Sequence, residues 1–117
     1  MFLIDSSAWI EYLRLSGSAK IKARIRKILE TEEAVTCGIV VVEILRGART
    51  EKDYRTLRDS FLSLPSIPIT REVIDRASRW GFQLDRKGRQ VPTTDLIIAS
   101  CAYKTARLVH ADRDFEI

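Results

Sequence analysis

Four acidic residues adjoin or interrupt apolar runs. Asp5 closes Phe2-Leu3-Ile4, Glu43 separates Ile39-Val40-Val41-Val42 from Ile44-Leu45, Asp95 precedes Leu96-Ile97-Ile98-Ala99, and Asp112 follows Leu108-Val109-His110-Ala111. Short runs this apolar belong in an interior, and the acids beside them are drawn in with them. An ionised carboxylate buried without a partner costs several kcal/mol or is forced to take up a proton. Several such groups in one small domain call for a divalent cation, and the function is expected to lie in that cation.

The same runs set the fold class. Residues 1–4 read as a buried parallel strand, after which Asp5-Ser6-Ser7 offers N-cap side chains for a helix over residues 8–15. Ser16-Gly17-Ser18 breaks the pattern. Ile21, Ile25, Ile28 and Leu29 then recur at helical spacing, with Lys20, Lys22, Arg24, Arg26 and Lys27 on the other faces, which makes a basic amphipathic helix. Residues 34–36 read as a second strand, and residues 39–48 as a helix that carries Glu43. Tyr54, Leu57, Phe61 and Leu64 predict an amphipathic helix over residues 51–64, stopped by Pro65, with a short strand over residues 66–69. Thr70 opens a helix through Leu84, and a basic polar loop covers residues 85–90. Thr93-Thr94-Asp95 caps a helix through Tyr103 that is apolar on nearly every side, and residues 108–110 form the last strand. Short strands alternating with helices imply a three-layer α/β/α sandwich with a short central parallel sheet, whose sites form beside the carboxyl ends of the strands.

At 117 residues the chain makes one domain able to bury a core without disulfide or zinc. Cys37 and Cys101 lie inside apolar segments with no metal-ligand spacing and read as buried, reduced thiols. No apolar stretch approaches the ~18 residues of a membrane span and the N-terminus has no signal-peptide pattern, so a cytoplasmic protein without membrane association is expected. Lys and Arg outnumber Asp and Glu by 20 to 16. Because some of those acids are the buried ones, the surface is more basic than the formal +4 suggests, and a polyanionic partner fits it.

Oxygen ligands without His or thiolate favour hard ions, Mg²⁺ or Mn²⁺, which suit phosphodiester hydrolysis. The residues that carry these acids, Leu3-Ile4-Asp5-Ser6-Ser7-Ala8-Trp9-Ile10, Val42-Glu43-Ile44-Leu45-Arg46-Gly47, Thr94-Asp95-Leu96-Ile97-Ile98-Ala99 and Asp112-Arg113-Asp114-Phe115, resemble in order and extent the PIN-domain ribonucleases, and within them the VapC toxins of toxin-antitoxin pairs. The resemblance implies a metal site and catalytic cluster of Asp5, Glu43, Asp95 and Asp112, with Ser7 assisting through its hydroxyl and Asp114 as the alternative to Asp112. It also implies hydrolysis of RNA, a VapB-type antitoxin that covers the acidic cleft, and a homodimer through the early helices, around Tyr12 and Ile25 or around Tyr54 and Phe61. Such proteins usually continue through a short helix and a last edge strand, so a single PIN-like domain over residues 1–117 leaves truncation open.

Arg46, Arg49, Lys52, Arg86, Lys87 and Arg89 flank the helix of Glu43 or precede Asp95 and are candidates for phosphate contact. Taken singly, Asp5 and Asp95 also read as N-caps, a role compatible with ligation. His110, the one histidine, reads as a satisfied core side chain, and Trp9, Tyr12, Tyr54, Phe61 and Trp80 as core or dimer contacts. The alternative function is a non-catalytic RNA-binding or protein-interaction domain of the same fold. A phosphatase with Asp5 as nucleophile would want a second Asp where Ser7 stands, and the five glycines form no phosphate-binding loop.

Overall fold

The computed structural model describes residues 1–111. Three short parallel strands, β1 (Phe2–Ile4), β2 (Ala34–Val35) and β3 (Arg107–Val109), pair in the order β2-β1-β3, with Phe2 opposite Ala34 and Arg107, and Leu3 opposite Val35 and Leu108. A central parallel strand is covered on both faces, which is why the first apolar run has no polar alternation. Leu3 and Ile4 are fully buried.

Six helices complete the described chain: α1 (Ser6–Leu13), α2 (Ala19–Glu30), α3 (Gly38–Leu45), α4 (Glu51–Leu62), α5 (Arg71–Arg86) and α6 (Thr93–Ala102). Thr36 extends the sheet through one parallel bridge to Ser66, with Thr36 N–H donating to Pro65 O (2.9 Å) and Ile67 N–H to Thr36 O (2.8 Å). The connections from β1 to β2 and on to Ser66 advance in one direction, and the return to β3 runs the other way. Right-handed crossovers therefore put α1–α4 on one face of the sheet and α5–α6 on the other. In the packing α1 touches α2 and α3, α3 touches α4, and α5 lies along α6, while α3 also meets α6 and so joins the two groups.

The strand expected over residues 66–69 shrinks to that single bridge, because Pro65 and Pro68 flank it and neither has an N–H for a ladder. Helix α1 starts two residues earlier than its apolar pattern suggests, because Asp5 caps it directly. It ends before a tight turn in which Gly17 N–H donates to Arg14 O and Ser18 N–H to the Glu11 carboxylate (3.1 Å). The Ser18 N–H and the Arg14 guanidinium hold the Glu11 carboxyl below its ordinary pKa. A Cβ on Gly17 would sit 1.8 Å from the Glu11 carbonyl oxygen, inside backbone that must move to admit it. Gly17→Ala is expected to lower stability by about 1–3 kcal/mol; a denaturant midpoint unchanged from wild type would mean the turn has room to open.

Helices α5 and α6 are locked by a polar clasp inside apolar packing. The fully buried Ser100 hydroxyl donates to Val73 O (2.8 Å) and accepts from Arg76 Nε (3.1 Å), while the Arg76 guanidinium lies over the Tyr103 ring.

Candidate active site

The site is built around the turn from β1 into α1. Asp5 follows the last residue of β1, and its own N–H continues the ladder to Val109 O (2.9 Å). That bond fixes the carboxylate at the carboxyl edge of the sheet. Asp5 Oδ2 accepts from the Ser7 N–H (3.2 Å) and from the Ser7 hydroxyl (2.5 Å), so the N-cap role is real. Asp5 is 2% exposed, and its other oxygen, Oδ1, is buried with no hydrogen-bond partner. A cap needs one oxygen, and the second is left over for a ligand.

Ser7 has a further task. Its oxygen accepts from the Ala111 N–H (2.9 Å), tying the residue before Asp112 to the Asp5 turn. Ser6 donates to Glu43 Oε1 (3.0 Å), bringing the half-buried Glu43 of α3 against the start of α1. The two consecutive serines thus hold two of the four acids to one turn.

Asp95 is 8% exposed in the first turn of α6, where the helix dipole favours negative charge. It is not the N-cap expected from sequence: Pro92 holds that position, without a side-chain cap bond, and the helix begins at Thr93. Among the described residues no three Asp, Glu, Cys or His side chains gather into a metal-binding group. Asp112 and Asp114 lie outside the described residues. The donors that are described, all oxygen and including an orphaned buried carboxylate oxygen, fit a hard divalent cation.

Cys37 and Cys101 are buried and free, as expected. Cys37 holds the N-cap position of α3 without a side-chain cap bond, and its pairing with the Cys101 thiol lowers its pKa. The same pairing and burial push Cys101 up. His110 lies just past β3, half-buried.

Arg46, Arg49, Arg86, Lys87 and Arg89 are all exposed, and among the described residues none has a carboxylate within 4.0 Å. Arg49 and Glu43 border a groove of about 500 Å³ between α1, α3 and α4, walled by Ile10, Leu13, Ile44 and Leu57. Ile25 and Phe61, offered as dimer contacts by the sequence, are buried in the core and unavailable to a second chain. Trp9 packs edge-on against Tyr12 and Phe61, and Trp80 against Tyr103. Reading the sequence missed Ser6, whose only signal was its place beside Asp5, and the Arg76–Ser100 clasp, which has none.

An α/β fold with a short parallel sheet thus carries the buried Asp5 at its carboxyl edge, with Glu43 held to the same turn through Ser6. The PIN-domain model matches residues 2–117. Ribonuclease VapC11 of Mycobacterium tuberculosis and VapC ribonuclease Mb1587 of Mycobacterium bovis are each 34% identical over 122 residues, covering 100% of this chain and 90% of theirs. The chain belongs to the PIN-domain family, among the VapC ribonucleases. In fold it is similar to FitAcB from Neisseria gonorrhoeae, with a TM-score of 0.79 at 18% identity over 97% of this chain and 89% of that one. VapBC2 from Rickettsia felis, bound to a DNA fragment from its promoter, gives 0.79 at 19% identity over 98% and 90%.

Proposed function

We propose that this protein is a divalent-metal-dependent endoribonuclease toxin, a single PIN-like unit over residues 1–117 that works in the cytoplasm with Mg²⁺ or Mn²⁺. The observation that carries the reading is the unpartnered Oδ1 of the buried Asp5 at the end of β1, in a chain of the VapC ribonuclease family. Asp5, Glu43, Asp95 and Asp112 would hold the ion, with Asp114 as the alternative to Asp112. When bound, such an ion lowers the pKa of a water and neutralises charge on the phosphate in the transition state. The protein's own groups do the positioning. Ser7 orients Asp5 and draws in the segment before Asp112, while Ser6 holds Glu43. Arg46, Arg49, Arg86, Lys87 and Arg89 attract the RNA backbone, giving affinity that falls with salt and carries no sequence information.

A VapB-type antitoxin is the inhibitory partner in this reading, and the apolar groove beside Glu43, with Ile10 and Leu13 each 49% exposed on its rim, suits an inserted apolar segment. Solved structures of similar fold include VapBC from Salmonella typhimurium bound to DNA. A homodimer completes the proposal, with the α5 face of Ile74 and Phe82 as exposed apolar surface.

Cleavage of a cellular RNA pool by purified protein, with Mg²⁺ or Mn²⁺ and with chelator, tests the reading. Metal-dependent cutting that disappears in Asp95→Asn is the expected result. Cutting that survives in chelator, or equal activity in wild type and variant, would remove the acidic cluster from the chemistry.

A further inference from the structure

We infer that the basic face of α2, together with Arg107 at the start of β3, is a second docking surface, which takes the phosphate backbone of a structured RNA at the end of the sheet opposite the cleavage site. The inference rests on the ribonuclease reading for its ligand and on independent geometry for its place.

Helix α2 carries Lys20, Lys22, Arg24, Arg26 and Lys27 against a single acid, Glu30. Its orientation is fixed, because Ile25 and Ile28 are buried in the core and Ile21 and Leu29 pack against it. Lys20, Arg24 and Lys27, spaced by four and three residues, then share one outward stripe, and all three are exposed. The ion pairs found among the described residues are Arg14–Glu11 and Arg55–Glu51, so none of the stripe's cations is engaged in one. A solvated face usually interleaves its charges; this one does not.

The stripe runs into a concavity of about 310 Å³ where Arg24 and Lys27 meet Arg107, over a floor of Phe2 and Ile28, with Glu33 as the one acid on its wall. Three cations from two elements converge there. The backbone places it at the end where the strands begin: Phe2 N–H donates to Glu33 O (2.9 Å) and Arg107 N–H to Met1 O (3.0 Å). Asp5 stands at the other end of β1, three residues on, a backbone separation of about 10 Å. One phosphate cannot sit in both places, but a polyanion that extends past the cleavage site can.

A membrane surface is disfavoured, because an interfacial helix inserts its apolar face and that of α2 is in the core. An RNA carries many regularly spaced phosphates and needs only matching cations. The surface would therefore favour RNAs large enough to reach it, selecting structured substrates over short strands without reading bases.

The test uses the full chain with Asp95→Asn, so that binding is read without cleavage. Affinities for an RNA hairpin and for a short single strand are measured against salt, with and without the triple change Arg24→Gln, Lys27→Gln and Arg107→Gln. The triple variant is expected to bind the hairpin about 10- to 100-fold more weakly and to lose roughly two to three units of the salt slope, with the short strand unaffected. A control pair on α5, Arg71→Gln with Arg79→Gln, is expected to leave both unchanged. With Asp95 restored, the triple variant should raise KM for the hairpin at constant kcat. Unchanged hairpin affinity, an equal loss on the short strand, or an equal loss in the control pair would overturn the inference. So would anionic phosphatidylglycerol vesicles that bind through the three cations while the hairpin does not. Hairpin binding that depends on the three cations in a protein that never cleaves RNA would overturn the nuclease reading and leave this surface standing.

Discussion

Asp5→Asn is expected to reduce metal-dependent RNA cleavage by about three orders of magnitude, on the scale of the several kcal/mol of charge stabilisation that a catalytic ion supplies, while leaving the metal-free protein at least as stable as wild type. The two effects have one cause. Asp5 is a charged group with 2% exposure whose Oδ2 is satisfied by Ser7 and whose Oδ1 is not satisfied at all. An amide keeps the shape and an oxygen for the cap but removes the buried charge, and a neutral amide costs less to bury than an ion. Added Mg²⁺ or Mn²⁺ should raise the melting temperature of wild type by binding the folded state alone, and should do so weakly or not at all in the variant. Thermal melts with metal and with chelator, beside the cleavage assay, check both halves. A variant that melts several degrees below wild type in chelator would make Asp5 a structural acid, its cap outweighing its buried charge.

The acids were legible because their placement breaks a rule: charge does not belong beside runs such as Phe2-Leu3-Ile4. Asp5 at a strand end and Glu43 within a helix both stand where that reasoning put them. What the sequence hid falls into two physical kinds. One is local competition. Pro65 and Pro68 reduce an expected strand to a bridge, and Asp5 starts α1 sooner than its first apolar residue suggests. The other is long-range contact. The Ser6–Glu43 bond spans 37 residues, Arg76 reaches Ser100 over 24, and the Ala111 N–H reaches Ser7 over 104. No periodicity encodes such pairings. The same limit explains the dimer contacts: Ile25 and Phe61 lie on amphipathic faces, and a sequence cannot say whether such a face meets its own core or another chain.

Trp9→Ala is expected to cost about 3–5 kcal/mol of stability, the range for truncating a large buried aromatic, and so a large share of the roughly 5–15 kcal/mol that holds a domain of this size. Trp9 is 4% exposed and joins elements that the sheet does not connect: its ring meets Phe61 of α4 edge-on at 4.9 Å and Tyr12 of its own helix at 5.8 Å. Edge-to-face pairs add about 0.5–1.5 kcal/mol each beyond the area they bury. The indole N–H offsets part of that gain, since it is buried without an acceptor. Trp9→Phe removes the stranded donor along with some area, and its expected cost is smaller, about 1 kcal/mol. Denaturant unfolding of both variants separates the packing from the polar penalty. The consequence reaches the site, because α1 carries Ser6 and Ser7 and hence the positions of Glu43 and Asp5. If Trp9→Ala unfolds at nearly the wild-type midpoint, the serine hydrogen bonds rather than the aromatic packing hold α1 against the acids.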